Sequence, residues 1–132
     1  MWQDPRMPSA EQIQHAYEQY TAALSRHDID AVMALFSASA VVNDPVDDPA
    51  VEGAEEIRAL FAGASGMVRA VRIAGPICIS GDCRHAAAAL EAEVDLGQGI
   101  QFMDVTDVMT FDDDGRFATM KAYYGPANLR DG

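Results

Sequence analysis

Residues Gln101 to Phe111 read QFMDVTDVMTF, and their side chains alternate with the period of two that is typical of a β-strand. One face of this strand is apolar with a single exception, and it carries Met103, Val105, Asp107, Met109 and Phe111. The opposite face is more polar and carries Asp104, Thr106 and Thr110. The pattern therefore predicts a strand whose inner face lies against the core, with Asp107 pointing inward.

Asp107 is the residue on this inner face that needs a chemical explanation. An ionised carboxylate on an apolar face costs several kcal/mol without a partner, and the inner face of this strand carries no Lys or Arg. Because desolvation raises the pKa of a carboxyl group, we expect Asp107 to keep its proton near neutral pH. A neutral carboxylic acid in a dry pocket can stabilise an oxyanion by donating a hydrogen bond to it.

A second carboxylate lies where another strand is predicted to stop. The run Val41-Val42-Asn43 ends at Asp44-Pro45, and proline cannot continue a strand ladder and favours extended geometry in the residue before it. Carboxylates at strand ends often face clefts. Asp44 is therefore a candidate general base.

The first predicted helix supplies a third polar group. Its apolar stripe has helical spacing and comprises Ile13, Ala16, Tyr17, Tyr20 and Leu24. The stripe places Tyr20 toward the interior of the fold, where its hydroxyl could donate a hydrogen bond.

Each of these three residues also has an ordinary structural explanation. A tyrosine on an apolar stripe commonly donates to a backbone carbonyl in the core, and Asp before Pro is common in solvated turns. A lone inward aspartate has fewer structural uses. The functional interpretation of Tyr20 and Asp44 therefore depends on their combination with Asp107.

Three segments of the chain resemble those of a known family. They are AYEQY at 16–20, VVNDP at 41–45 and MDVTDVMTF at 103–111. In this order and spacing the chain resembles the bacterial Δ5-3-ketosteroid isomerases from about Ser9 to Asn128. The resemblance includes the Gly115-Arg116 turn and the strand from Met120 to Tyr124. The wider cone-shaped superfamily, which includes nuclear transport factor 2, polyketide cyclases and SnoaL-like proteins, shares the outline but varies these polar residues.

The resemblance implies roles for the three polar residues. Asp44 would be the base that shuttles a proton, and Tyr20 and Asp107 would be the oxyanion-hole donors. This family is itself a standard example of a carboxylic acid kept neutral so that it can donate a hydrogen bond. The resemblance also implies a homodimer and a small, apolar, steroid-like substrate.

Two departures from the family pattern concern aromatic residues. Phe36 and Phe61 lie where some members have tyrosines that hydrogen-bond onward to the oxyanion-hole tyrosine, so we expect that network to be absent and Tyr20 to be less polarised. Tyr124 takes the place of a tryptophan found in one branch. It keeps an aromatic wall and adds a hydroxyl, which is expected to affect substrate preference.

Helix and strand signals are arranged as in an α+β domain. Ser9 and Gln12 form a capping box before the first helix, Asp28 can cap a short second helix, and a third helix follows Gly53. After Gly66 the pattern alternates, and one strand is predicted to bury Ala86, Ala88, Leu90, Ala92 and Val94. Hairpin turns are predicted at Gly97-Gln98-Gly99 and Asp112-Asp113-Asp114-Gly115. We therefore expect a cone-shaped fold, in which three N-terminal helices pack on a curved mixed or antiparallel sheet that encloses an apolar pocket.

The predicted lining of this pocket combines aromatic, aliphatic and small side chains, and it consists of Phe61, Ala88, Leu90, Met103, Val105, Met120, Ala122 and Tyr124. Apolar stripes of this kind are usually plain core. The small alanines leave space that another side chain, a dimer partner or a ligand must fill.

Composition excludes several classes of partner. A chain of 132 residues predicts a single domain over residues 1–132, and a net charge of −12 argues against nucleic acid or an anionic membrane as a partner. No apolar run approaches the length of a membrane span, and Met1 to Arg6 lacks the regions of a signal peptide. We therefore expect a cytoplasmic protein.

No cofactor or metal is expected from the residue pattern. His15, His27 and His85 are scattered without ligand spacing, and the chain has neither a Gly-rich phosphate loop nor a nucleophile elbow. Cys78 and Cys83 flank a predicted turn, where a cross-strand disulfide is conceivable, although the cytosol favours free thiols.

The reaction implied by the resemblance is isomerisation of a 3-oxo-Δ5-steroid to its conjugated Δ4 form. One alternative is epoxide hydrolysis, which in the resembled limonene epoxide hydrolases uses an Asp-Arg-Asp set, but the inner positions beside Asp107 are Val105 and Met109. The other alternative is a non-catalytic module that binds hydrophobic ligands or mediates dimerisation.

Overall fold

The computed structural model describes residues 8–132. The interpretation of Met1 to Arg6 as lacking a signal peptide lies outside these described residues. Among the helices of residues 8–132, none combines the length and the hydropathy needed to cross a membrane.

Three helices form where the capping signals predicted them. Helix α1 spans Ala10–Ser25 and begins with the capping box of Ser9 and Gln12. Helix α2 spans Ile29–Met33, and the Asp28 carboxylate accepts from the backbone N–H of residue 31 at 3.0 Å. Helix α3 spans Ala54–Ala64 and follows a glycine with φ of 84°, a backbone conformation that residues with a Cβ rarely adopt.

In the described part of the chain, seven strands form one sheet. In chain order they are β1 Phe36–Asn43, β2 Val51–Glu52, β3 Val68–Ile79, β4 His85–Asp95, β5 Ile100–Phe111, β6 Phe117–Tyr123 and β7 Leu129–Asp131. A short 3₁₀ helix, Pro126–Asn128, precedes β7. Helix α3 lies between β2 and β3 in the chain, so the helical half of the sequence already contains one strand pair.

The strand order is β2-β1-β6-β5-β4-β3, with β7 paired to β5. Strand β1 runs parallel to β6, and the remaining pairs are antiparallel, which makes the sheet mixed. Two register shifts interrupt the pairing of β3 with β4, and such irregularities bend a strand and increase its twist. The predicted α+β fold, with helices packed on a curved mixed sheet, is confirmed.

Helix α1 crosses the inner face of the sheet and is tied to it at its middle and at its C-terminal end. The Tyr17 hydroxyl donates to the backbone oxygen of Asp107 on β5 at 3.1 Å. The Ser25 hydroxyl donates to the backbone oxygen of Val71 on β3 and accepts from the N–H of the same residue, both at 2.9 Å. The predicted stripe of α1 is therefore held against the concave side of the sheet.

An aromatic cluster fills one end of the space between helices and sheet. Tyr17, Tyr20, Phe36, Phe111 and Phe117 are each at most 5% exposed, and their ring centroids lie 5.1 to 6.5 Å apart in mostly edge-to-face pairs. This cluster closes the core behind the polar residues that the sequence singled out.

The predicted turns are confirmed. Gly97, Gly99 and Gly115 all have positive φ in the β4–β5 and β5–β6 connections. Cys78, near the end of β3, and Cys83, in the β3–β4 connection, are both free thiols, the first exposed and the second buried.

Candidate active site

Asp107 lies on the inner face of β5, between two alanines of the neighbouring strands. Its Cα partners are Ala88 on β4 and Ala122 on β6, whose small side chains leave space in front of the carboxyl group. The residue is 3% exposed, and its carboxyl group makes no hydrogen bond within residues 8–132. Burial, followed by the charge of Asp44, raises the pKa of Asp107 to about 8. The carboxyl group is therefore mostly protonated at pH 7.

Tyr20 lies two-thirds of the way along α1 and points toward the same space. Its ring packs edge-on against Phe36, Phe61 and Phe117, with centroid distances of 6.4, 6.1 and 5.6 Å. Phe36 and Phe61 carry no hydroxyl, so neither can form the hydrogen bond to Tyr20 that a tyrosine at the same position could form.

Within residues 8–132 the Tyr20 hydroxyl has only a weak acceptor. It donates to the thioether sulfur of Met120 at 3.4 Å, and sulfur is a poor acceptor compared with oxygen. Burial, followed by the charges of Asp107 and Asp44, raises the pKa of Tyr20 well above its ordinary value. The hydroxyl therefore keeps its proton and is available to a better acceptor, such as a ligand oxygen.

Asp44 follows the last residue of β1, as the Asp-Pro signal predicted. The chain beyond it is held to β6 by the Val46 N–H, which donates to the backbone oxygen of Ala122 at 2.8 Å. Since Ala122 is also the Cα partner of Asp107, this bond brings the two carboxyl groups to the same part of the sheet. Asp44 is half-buried rather than fully solvated.

Tyr124 holds one oxygen of the Asp44 carboxylate. Its hydroxyl donates to Asp44 Oδ1 at 2.7 Å, and Oδ2 has no hydrogen bond within residues 8–132. Burial raises the pKa of Asp44, the hydrogen bond from Tyr124 opposes this shift, and the charge of Asp48 adds to it. Asp44 therefore presents one bound oxygen and one free oxygen, as a proton acceptor requires.

Tyr17 is a supporting residue that the sequence pattern did not identify as functional. Its hydrogen bond to the backbone of Asp107 fixes the strand segment that carries the carboxyl group. The stripe predicted that Tyr17 would be buried, but no signal in the sequence indicates which carbonyl its hydroxyl reaches.

The polar groups lie at one end of an apolar cavity of about 320 Å³. This volume is at the lower end of the range for small-molecule sites. Tyr20, Asp44 and Asp107 all line the cavity, and the predicted pocket residues that join them are Phe61, Leu90, Met103, Val105, Ala122 and Tyr124.

Two predicted pocket residues do not line this cavity. Met120 is fully buried beneath the Tyr20 hydroxyl, to which it serves as acceptor. Ala88 is 2% exposed, and it is paired with β3 on one side and with Asp107 of β5 on the other. It therefore lies next to the segment of β5 to which the Tyr17 hydroxyl of α1 donates. Helix α1 therefore covers the inner face of the sheet at these two positions and leaves the cavity farther along the strands.

The far part of the cavity is built from residues that were not predicted to form a pocket, and they are Leu24, His27, Ile29, Ala64, Ser65, Met67, Val68, Val71, Ala92, Val94 and Leu96. The stripe of α1 had placed Leu24 on the inner face, and the alternation of β4 had placed Ala92 and Val94 there. Most of the others lie at helix ends and loops, where no periodic pattern exists that could have identified them.

The arrangement suits proton transfer next to a developing negative charge. A half-buried carboxylate, a neutral carboxylic acid and a phenol converge at one end of a cavity lined mainly by carbon. Within residues 8–132 no group of three or more His, Cys, Asp or Glu side chains is placed to bind a metal ion.

Comparisons with known proteins identify a family and proteins of similar sequence and fold. A family model described as SnoaL-like domain matches residues 17–120. The steroid Delta-isomerase of Nocardioides simplex is 26% identical over 118 residues, which cover 89% of this chain and 94% of that protein. Among solved structures, the epoxide hydrolase/cyclase-like enzyme SalBIII, which has a role in pyran ring formation in the polyether salinomycin, has a TM-score of 0.83 at 21% identity and covers 92% of this chain and 97% of that one. At this identity the structural likeness shows the fold alone.

Proposed function

The chain belongs to the SnoaL-like domain family, and we propose that it is a steroid Δ-isomerase of the bacterial Δ5-3-ketosteroid isomerase type. The reaction would convert a 3-oxo-Δ5-steroid to the conjugated 3-oxo-Δ4-steroid without a cofactor. The curated relative that bears the name steroid Delta-isomerase supports this proposal.

The observation that carries the proposal is the environment of Asp107. A carboxyl group that is 3% exposed and lacks a hydrogen bond partner within residues 8–132 stabilises no other part of those residues through a hydrogen bond. It lines the same apolar cavity as Tyr20 and Asp44, and the charge of Asp44 contributes to its raised pKa. Such a group is suited to donate a hydrogen bond to a ligand oxygen.

In the proposed reaction, ionised Asp44 removes a proton from C4 of the substrate through its free oxygen Oδ2. The electron pair of the broken C–H bond delocalises through the carbonyl, so negative charge develops on the 3-oxygen of a dienolate. Tyr20 and neutral Asp107 donate hydrogen bonds to that oxygen. Asp44 then returns the proton to C6, so the reaction consumes no other reactant.

The two aspartates must hold opposite protonation states at one pH. Asp107 is almost fully buried, and its pKa is raised to about 8. Asp44 is half-buried, which raises its pKa, but the hydrogen bond from Tyr124 opposes this shift and favours the ionised form. The difference in exposure and in hydrogen bonding therefore supports the assignment of acid and base.

Epoxide hydrolysis on the same scaffold is the less favoured alternative. The cavity lining within residues 8–132 contains no Arg or Lys that could complete an Asp-Arg-Asp set around a water. A non-catalytic binder of hydrophobic ligands would use the same cavity, and it differs from the isomerase only in turnover.

The direct test is to assay 5-androstene-3,17-dione and to follow the absorbance of the conjugated enone. We expect turnover by the unmodified protein and its near loss in Asp44→Asn. Tight binding without turnover would contradict the isomerase and support the binder, whereas hydrolysis of an epoxide substrate would support the other enzyme class.

We also propose a homodimer, which rests on the family resemblance. Light scattering after size-exclusion chromatography should give about twice the chain mass of 14.2 kDa. A mass of one chain at micromolar concentration would contradict it.

A further inference from the structure

The cavity has a second polar end. Tyr20, Asp44 and Asp107 form the first end, and His27 and Ser65 line the same cavity elsewhere. The lining between them is apolar and is formed largely by β3, β4 and β5. The proposed reaction uses Tyr20, Asp44 and Asp107, and it assigns no role to His27 or Ser65.

His27 occupies a backbone position that usually belongs to glycine. Helix α1 ends at Ser25 with Arg26 as its C-cap, and His27 follows with φ of 58°, in the left-handed region. The Asp28 N–H donates to the backbone oxygen of Ala23 at 3.0 Å, which is the hydrogen bond of a Schellman motif. A side chain at this position costs free energy that glycine would avoid, so an imidazole here indicates a use for the side chain itself.

The His27 side chain is exposed where it lines the cavity, and one of its two ring nitrogens has a polar partner in the protein. His27 Nδ1 lies 3.0 Å from the hydroxyl oxygen of Ser65, which caps the C-terminal end of α3. The other ring nitrogen, Nε2, has no hydrogen bond within residues 8–132. The contact thus joins the ends of two helices and leaves one ring nitrogen available to a ligand.

The separation of the two polar ends matches an elongated ligand. From Tyr20 the helix rises ~8 Å to its last residue, Ser25, and His27 follows two residues later. Along β5, the lining extends from Asp107 to Met103, or ~13 Å. These lengths are close to that of a fused four-ring skeleton with one oxygen at each end.

We propose that His27 and Ser65 form a second subsite, which binds a carbonyl or hydroxyl oxygen at the end of the ligand remote from the reacting ketone. This inference rests on the proposed function for the orientation of the ligand. In a steroid the bound group would be an oxygen on C17. The physiological substrate would then belong to the 3-oxo-steroids that carry a 17-oxygen rather than an alkyl chain.

The test compares two conjugated ketones, 4-androstene-3,17-dione and 4-androsten-3-one, which differ in the 17-oxygen. Calorimetric titration gives the Kd of each compound for the unmodified protein and for His27→Gly. Glycine removes the imidazole and suits the positive φ, so folding should be preserved or improved. We expect the preference for the dione over the monoketone to fall by about three- to tenfold, which corresponds to one neutral hydrogen bond.

Two further variants make the comparison specific. Ser65→Ala should lower the preference by a smaller factor, because it removes the partner that orients the ring but keeps Nε2. His85→Ala alters a histidine outside this cavity and should leave the preference unchanged. An unchanged preference in His27→Gly would overturn the subsite, as would failure of the unmodified protein to bind either ketone.

The outcomes separate this inference from the proposed function. If the binding preference depends on His27 but no isomerisation occurs, the subsite stands and the isomerase is wrong. If isomerisation occurs and the preference for the dione is the same in His27→Gly as in the unmodified protein, the isomerase proposal stands and the subsite proposal is wrong.

Discussion

Strand β5 carries two aspartates, Asp104 and Asp107, that are three residues apart and lie on opposite faces of the sheet. The Asp104 side chain is 55% exposed, and Arg130 binds both of its oxygens, with Nη2 at 3.1 Å from Oδ1 and Nε at 3.3 Å from Oδ2. Asp107 is 3% exposed and its carboxyl group has no partner within residues 8–132. The same residue type is thus an ion-pair partner at position 104, on one face of the strand, and a buried neutral acid at position 107, on the other face.

The two faces shift carboxyl pKa values in opposite directions. On the outer face, hydrogen bonds from Arg72 and Arg130 lower the pKa of Glu91, and both guanidinium groups lie over the ring of Phe102. On the inner face, burial raises the pKa of Asp107 to about 8. Solvent exposure and available cations, rather than residue type, therefore decide which acid can donate a proton in a hydrogen bond at neutral pH.

The largest effect on kcat is expected from substitution of Asp44, the second carboxyl group at the cavity. Asp44→Asn keeps the size and the hydrogen bond position of the side chain but cannot accept a proton from carbon. We expect kcat to fall by about 10³-fold or more, with steroid affinity similar or stronger. Steady-state kinetics and calorimetric titration measure the two quantities, and loss of binding would show instead that Asp44 is a structural residue.

Substitution of Asp107 tests the comparison itself. Asp107→Asn keeps a hydrogen bond donor, whereas Asp107→Ala and Asp107→Leu remove it, so activity should rank Asn above Ala and Leu, with a loss of about 10²- to 10³-fold in kcat for the last two. Asp104→Asn is the matched control on the outer face of the same strand and should leave kcat unchanged.

Folding stability gives a second measurement on the same variants. Asp107→Leu should unfold at an equal or higher denaturant concentration than the unmodified protein, because an apolar side chain is better suited to this face than a carboxyl group. An unstable Leu variant, or Asn and Leu variants of equal activity, would show that Asp107 is a structural hydrogen-bonding residue.

Removal of the Tyr20 hydroxyl, the second hydrogen bond donor, is expected to lower kcat by a somewhat smaller factor. Tyr20→Phe removes a hydroxyl whose acceptor in the protein is the sulfur of Met120, a weak partner. We expect a loss of about 10²-fold in kcat and little change in the free energy of unfolding. A large loss of stability with retained activity would restore the view of Tyr20 as an ordinary core tyrosine.

The smallest effect concerns Tyr124. Its hydrogen bond favours the ionised form of Asp44 and so lowers the pKa of that group relative to burial alone. Tyr124→Phe should therefore raise the pKa of Asp44 and move the acidic limb of the profile of kcat/KM against pH to higher pH. A limb that stays in place, or moves to lower pH, would contradict this role.

The sequence predicted the parts of the fold that have a period. The alternation of β4 and β5 and the stripe of α1 identified the inner faces correctly, and the capping box at Ser9 marked the start of α1. Asp107 was identifiable because a charged residue type interrupted an otherwise apolar face.

The parts that the sequence could not predict depend on how elements pack against one another. No pattern indicates that Met120 lies beneath the Tyr20 hydroxyl, or that Ala88 lies outside the cavity. The bond of Tyr124 to Asp44 joins residues 80 positions apart and depends on the parallel pairing of β1 with β6. His27 carried no recognisable signal either, because a positive φ is visible only in the folded backbone.

The most direct test is a pH titration of the Asp107 carboxyl carbon by ¹³C NMR, with Asp107→Asn used to assign the resonance. The carboxyl group is predicted to titrate with a midpoint near pH 8 in the free protein, so that it is mainly protonated at pH 7. A midpoint in the ordinary range for aspartate, about 4, would show that Asp107 is ionised at neutral pH and would contradict its role as a neutral hydrogen bond donor.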